Sequence, residues 1–172
     1  MKKRMLVTLA ALSVMIALGC FSAHKGTVVG NRVIFEKERI AFSKINGWRE
    51  VSPSGSLNIY RTEKPDARIR VRSTVEKKAN SLKEHTTNWI SLMTDKFEWK
   101  DIEVISEGYT TIDNERSYWT LIKFRVKDLI VTQKTYSLYN GPFWINLRLT
   151  CIRNCKANEA IFDKWVKSVD LL

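Results

Sequence analysis

Few residues of this chain have types and spacing suited to chemistry. Cysteines stand at positions 20, 151 and 155, and histidines at 24 and 85. No Ser or Cys sits in a nucleophile-elbow pattern, and neither a phosphate-binding glycine loop nor an HExxH pair occurs. The expectation is no catalytic residue, no cofactor and no metal. Paired carboxylates leave no spacing signature, so an enzyme with an unrecognised site remains a third reading of the chain. Cys151 and Cys155 form a C-x3-C pair that suits a disulfide, a metal or two free thiols. Metal fits worst, because zinc takes four ligands and neither His24 nor His85 is spaced to join the pair. With Cys20 set aside the thiols are even in number, which in an oxidising compartment favours pairing. A Cys151–Cys155 disulfide around Ile152-Arg153-Asn154 requires Cα atoms within about 7 Å. His85 has polar neighbours (Glu84, Thr86, Thr87) and reads as an exposed helix residue.

The other constellation is electrostatic. Arg68, Arg70 and Arg72 alternate with Ile69, Val71 and Ser73, so the arginines share one face of a strand. Lys123, Arg125 and Lys127 alternate in the same way with Ile122, Phe124 and Val126, and Arg148 lies between Leu147 and Leu149. If these faces coincide, up to seven cations form one surface for an anionic lipid headgroup, a lipopolysaccharide phosphate or a cell-wall polymer. The alternative is an ordinary solvated sheet face, with Glu103, Glu107 and Glu115 pairing across strands. Six tryptophans divide by position. Trp89, Trp119 and Trp165 fall at core-like positions, while Trp48, Trp99 and Trp144 lie near element ends or turns.

The N-terminus sets the address. Lys2, Lys3 and Arg4 precede an uncharged, mostly apolar run from Met5 to Leu18, then Gly19 and Cys20. This is the layout of a secretory signal. As a helix the apolar run spans about 21 Å, short of the roughly 30 Å hydrocarbon core, so a permanent transmembrane helix is the weaker reading. Ile16-Ala17-Leu18-Gly19-Cys20 resembles the lipobox of bacterial lipoproteins, with Ala17 and Leu18 in swapped order. The resemblance implies cleavage before Cys20 and a diacylglyceryl thioether on its thiol. The protein would then be held by two or three acyl chains such as palmitate, facing the periplasm. Phe21 replaces the Asp that retains enteric lipoproteins at the inner membrane, which leans toward the outer membrane. The expected division is signal peptide 1–19, lipidated tether 20–31 and a single domain 32–172. Residues 1–19 hold three basic and no acidic residues, so the formal charge of +11 falls to +8 after cleavage. Such a balance speaks to anionic partners, and export disfavours nucleic acid among them.

The remaining chain must position these residues. Strand patterns cover Val33–Phe35, Ile40–Phe42, Gly47–Val51, Leu57–Arg61 and Ala67–Val75, with turn residues at Ser52 to Ser56 and at Lys64-Pro65-Asp66. Ser81 with Glu84 forms a capping box. It opens a helix with Leu82, Trp89, Leu92, Met93 and Phe97 on one side. Strands Ile102–Thr111, Ser117–Val126, Leu129–Tyr139 and Phe143–Ile152 follow, joined at Asp113-Asn114 and Asn140-Gly141. In the last strand Ile145, Leu147 and Leu149 oppose Asn146, Arg148 and Thr150. A closing helix from about Lys156 to Val169 places Ile161, Trp165, Val169 and Leu172 together.

This order predicts an α+β domain: an antiparallel sheet of about six to seven strands with two packed helices. It resembles the Mog1/PsbP-like fold and the bacterial DcrB-like lipoproteins over roughly residues 40–170. The likeness rests on Gly47-Trp48 before a strand, the amphipathic helix after the third strand, the long meander and Trp165 in the closing helix. Asp113-Asn114 departs from the usual glycine in the meander turn. The resemblance implies a non-enzymatic accessory or assembly role through contact with an envelope protein, and it carries over no catalytic residue. The alternative is a binding module for an anionic envelope ligand on the basic sheet face.

Overall fold

A computed structural model of the chain describes residues 26–52, 57–76 and 81–172. The apolar leader, Cys20, His24 and residues 53–56 of the predicted turn lie outside the described residues. Eleven strands and two helices are described. They are β1 (Thr27–Val29), β2 (Arg32–Phe35), β3 (Ile40–Ser43), β4 (Arg49–Glu50), β5 (Asn58–Lys64), β6 (Ala67–Val75), α1 (Leu82–Phe97), β7 (Lys100–Ile112), β8 (Glu115–Val126), β9 (Leu129–Asn140), β10 (Phe143–Cys151), α2 (Cys155–Val166) and β11 (Asp170–Leu171). Among the described residues, no helix is long and apolar enough to cross a membrane.

The strands form two antiparallel sheets. The large one runs β4-β5-β6-β10-β9-β8-β7, and the small one runs β1-β2-β3-β11. The predicted first strands thus build a sheet of their own, closed by the C-terminal residues, and β1 comes from the segment read as tether. The hairpins follow from turn chemistry. Asp113 and Asn114 both take positive φ (45° and 66°), the geometry of a two-residue hairpin turn, which short polar side chains tolerate. They supply what glycine supplies elsewhere. Gly141, at φ 58°, opens the turn into β10.

Strand alternation gives the large sheet two unlike faces. On one, Ile69, Val71, Leu138, Ile145, Leu147 and Leu149 are almost wholly excluded from solvent. They pack against Phe35, Ile40 and Phe42 of the small sheet and against Phe162, Trp165 and Val166 of α2. Trp165 Nε1 donates to the Ser43 carbonyl at 2.7 Å and locks α2 onto β3. The buried side of α2 is Asn158, Phe162, Trp165 and Val166. Ile161 and Leu172, expected on that side, are partly exposed.

The opposite face carries α1. The Ser81 side chain accepts from the Glu84 amide at 3.0 Å, as the capping box requires. Trp89 and Met93 pack on Tyr139 and Trp144, whereas Leu92, expected beside them, points to solvent. Trp144, near an element end in the sequence, is fully buried here. Its strand simply continues from the turn beneath the helix.

The Cys151–Cys155 disulfide forms, with Cα atoms 5.6 Å apart, and joins the end of β10 to the start of α2. Its loop is short, so it removes little entropy from the unfolded chain. Cys155→Ser is expected to lower unfolding free energy by about 2 kcal/mol in denaturant titrations. A reductant should have the same effect on wild type and none on the variant.

Candidate functional site

Helix α1 covers only part of its face. It lies over β8 and β9 and reaches β10, where Trp144, Asn146 and Arg148 are buried, and it leaves the outward rows of β5 and β6 only partly buried. Those rows are cationic. Register sets Arg148 opposite Arg70, Asn146 opposite Arg72, Thr150 opposite Arg68, Arg61 opposite Arg70 and Glu63 opposite Arg68. Arg68, Arg70, Arg72 and Arg148 therefore form one patch, as the alternation allows.

The other half of the expected surface does not join it. β8 lies three strands from β6, about 14 Å away at normal strand spacing. Lys123 and Arg125 alternate with Ile122 and Phe124, which are buried on the α1 side, so both cations project from the opposite face. Lys123 sits opposite Glu103, and Arg125 pairs with Asp101 at 3.2 Å. Lys127 takes φ 53° in the turn between β8 and β9. The single seven-cation surface is thus corrected to a four-arginine patch. The reason is pleat parity: alternation within a strand is visible in sequence, but which face another strand shares is not.

Within the patch, carboxylates are unevenly distributed. Glu63 serves three guanidinium groups: Arg49 and Arg61, both at 2.7 Å, and Arg68 at 3.2 Å. The hydrogen bond from Arg61 leads in pulling the Glu63 carboxyl down to about 2, with the charge of Arg61 and the bonds from Arg68 and Arg49 adding to it. Arg70, Arg72 and Arg148 form no salt bridge among the described residues, and the segments outside them contain no Asp or Glu. Nε of Arg70 and Nε of Arg72 are buried without a hydrogen-bond acceptor.

Arg148 is the extreme case, only 8% exposed. Its Nε and Nη2 donate long bonds to Asn146 Oδ1, at 3.4 and 3.3 Å. Its guanidinium lies 4.1 Å from the Trp89 ring centre, a cation–π contact. Burial first, then the charges of Arg70 and Arg72, pull this guanidinium down to about 9, so it remains cationic at neutral pH against an opposing environment. Burial likewise lowers Arg70 and Arg72 from the usual arginine value.

Beside this stripe a cavity of about 520 Å³ opens between α1 and the sheet. Arg68, Arg70, Arg148, Gln133 and Thr150 line one side. Met93 and Phe97 of α1, with Trp99, Phe124, Val126 and Val131, line the other. Trp99 stacks on Phe124 at 3.9 Å and closes the inner wall. The N-terminal half of α1 is fixed to its surroundings. Lys83 pairs with Glu107, and His85 contacts Tyr139 Oη at 2.7 Å and Glu76 Oε2 at 2.8 Å while stacking on Trp144. His85 is therefore held between β6, β9 and β10, not exposed as its polar neighbours suggested. Among the described residues no group of three or more His, Cys, Asp or Glu is placed to hold a metal.

The depressed Glu63 carboxyl has a pH signature. Its stabilising contribution is complete above the unfolded value near 4.5 and is lost as pH falls toward about 2. Urea titrations across this window should show wild type losing stability more steeply than Glu63→Gln. Equal slopes would mean that the three-arginine cluster contributes nothing.

No protein-family model matches the chain, and no curated protein matches it by sequence. Solved structures do match in fold. The cyanobacterial PsbP (CyanoP) of Synechocystis sp. PCC 6803 superposes with a TM-score of 0.69 at 16% identity, covering 86% of this chain and 98% of that one. The Ran-binding protein Mog1p of Saccharomyces cerevisiae gives 0.63 at 10% identity, covering 84% and 96%. LpqN of Mycobacterium tuberculosis, involved in cell envelope biogenesis, gives 0.50 at 10% identity, covering 74% and 79%. Two helices on antiparallel sheets of seven and four strands, superposing on these structures, make this a domain of PsbP/Mog1-like fold.

Proposed function

We propose that the chain is an exported, lipid-anchored envelope protein whose domain is a binding module and not an enzyme, and that its arginine patch holds an anionic group. The observation that carries this reading is Arg148: a guanidinium buried in the sheet beside Arg70 and Arg72 with no carboxylate to neutralise it. A cation kept out of water without a counter-ion is costly, and a bound anion offsets that cost. Arginine suits the task, because its planar fork meets carboxylate and phosphate oxygens in pairs. The accessory or assembly role implied by the family resemblance, through contact with an envelope protein, stands beside this reading.

The leader supports the address. The basic start, the short apolar run and Gly19-Cys20 fit export and lipidation, and two or more acyl chains on Cys20 would anchor the protein stably. The Cys151–Cys155 disulfide agrees with an oxidising compartment. LpqN, of the same fold, is involved in cell envelope biogenesis.

Two measurements test this. Expressed in a bacterium, wild type should fractionate with membranes and show acyl mass on a chain beginning at Cys20, and Cys20→Ser should lose that mass. An unacylated soluble wild-type chain would overturn the anchor. Inorganic phosphate should raise the unfolding temperature of the mature protein by about 2–4 °C for each kcal/mol of binding linkage. Arg125→Glu, on the opposite face, should respond as wild type does, and Arg70→Glu should not respond. Equal responses from the two variants would overturn the arginine patch as the site.

A further inference from the structure

We infer that the natural ligand is a single-chain anionic amphiphile, a monoacyl lipid whose head lies on Arg148, Arg70 and Arg68 and whose tail lies between α1 and the sheet. This rests on the anion-binding reading and adds the ligand's class to it. A single cavity offers complementary surfaces for the two parts of such a molecule. Part of the lining is polar and mainly cationic: Gln133 and Thr150 stand with the arginines as further hydrogen-bonding groups, and Lys64 and Asp66 also line it. Another part is hydrocarbon and aromatic, from Met93 and Phe97 of α1 across Trp99 and Phe124 to Val131. Its volume of about 520 Å³ falls within the roughly 300–1,000 Å³ usual for small-molecule sites. A small inorganic anion would fill the cationic end and leave the apolar arm empty. A purely apolar ligand would leave Arg70 and Arg148 without a carboxylate partner. Only a molecule with both parts satisfies both walls.

The mouth is built in the same sense. Phe97, Leu129 and Ile152 line the cavity and are yet 52%, 56% and 41% exposed. Lys127, in the turn that leads to Leu129, is also exposed. Apolar side chains grouped at the rim of a cavity mark a site of contact, here the route by which a hydrocarbon chain enters without crossing the charged wall. The helix contributes Met93 and Phe97 to the cavity from its C-terminal half, and it ends at Glu98 in the left-handed conformation.

The test is native mass spectrometry of the mature protein with three probes at equal concentration: oleoyl lysophosphatidate, neutral monooleoylglycerol and inorganic phosphate. Lysophosphatidate is expected to bind at least tenfold more tightly than either of the others. Phe97→Asp combined with Leu129→Asp, both at solvent-exposed positions, should abolish that tenfold advantage and leave phosphate binding unchanged. Arg70→Glu should abolish both. Phosphate binding as tight as lysophosphatidate binding would overturn the amphiphile and leave the anion site standing. Monooleoylglycerol binding as tight as lysophosphatidate binding would show that the head makes no use of the arginines. If nothing binds, the anion reading falls together with the amphiphile.

Discussion

A guanidinium buried without a carboxylate is the constraint around which this domain is organised. Arg148 belongs to the central strand pair of the large sheet, and its charge faces two further arginines across the register. Such a placement works against folding, since an ion removed from water costs several kcal/mol before it is repaid by partners. What the protein supplies is modest: Asn146 Oδ1 as the acceptor of two long hydrogen bonds, and the face of Trp89. Stability is therefore provided elsewhere, chiefly by the opposite face, where Ile69, Val71, Leu147 and Leu149 meet the small sheet and α2 in a continuous apolar core.

The division of labour between the two faces explains the architecture. One face is covered over its central strands by four short strands and a helix pinned through Trp165. The other is covered by a single sixteen-residue helix, which cannot span seven strands. Helix α1 is fixed over β8 and β9 by its N-terminal half and reaches β10, where Trp89 covers Arg148, so the less covered remainder falls over β5 and β6. The cavity opens beside the C-terminal part of the helix, and its lining combines apolar residues with arginines.

Much of this was legible in the residues. Period-two alternation in β6, β8 and β10 identified the strands and the outward position of every arginine, because side-chain direction within a strand is fixed by the pleat. The capping box at Ser81 and the hairpin turns marked element boundaries through local chemistry. What alternation could not give was parity between strands separated by others, and so Lys123 and Arg125 were placed with Arg70 although they project from the opposite face. Nor did it give depth. Arg148 reads like any charged residue between two leucines, and its burial depends on Trp89 closing over it from a helix some sixty positions earlier. His85 was misread for the same reason: its surroundings come from distant segments. The small sheet was hidden because its β11 strand is a two-residue piece at the far end of the chain.

The most direct measurement is the equilibrium stability of Arg148→Met, with and without phosphate, by denaturant titration. Methionine keeps much of the length and the contact with Trp89 while removing the charge. If Arg148 is retained for ligand binding, the variant without phosphate should be at least as stable as wild type, and phosphate should no longer stabilise it. A loss of about 3–5 kcal/mol together with an undiminished phosphate response would contradict the account. Arg148 would then be a structural element of the core, and the anion would have to bind elsewhere.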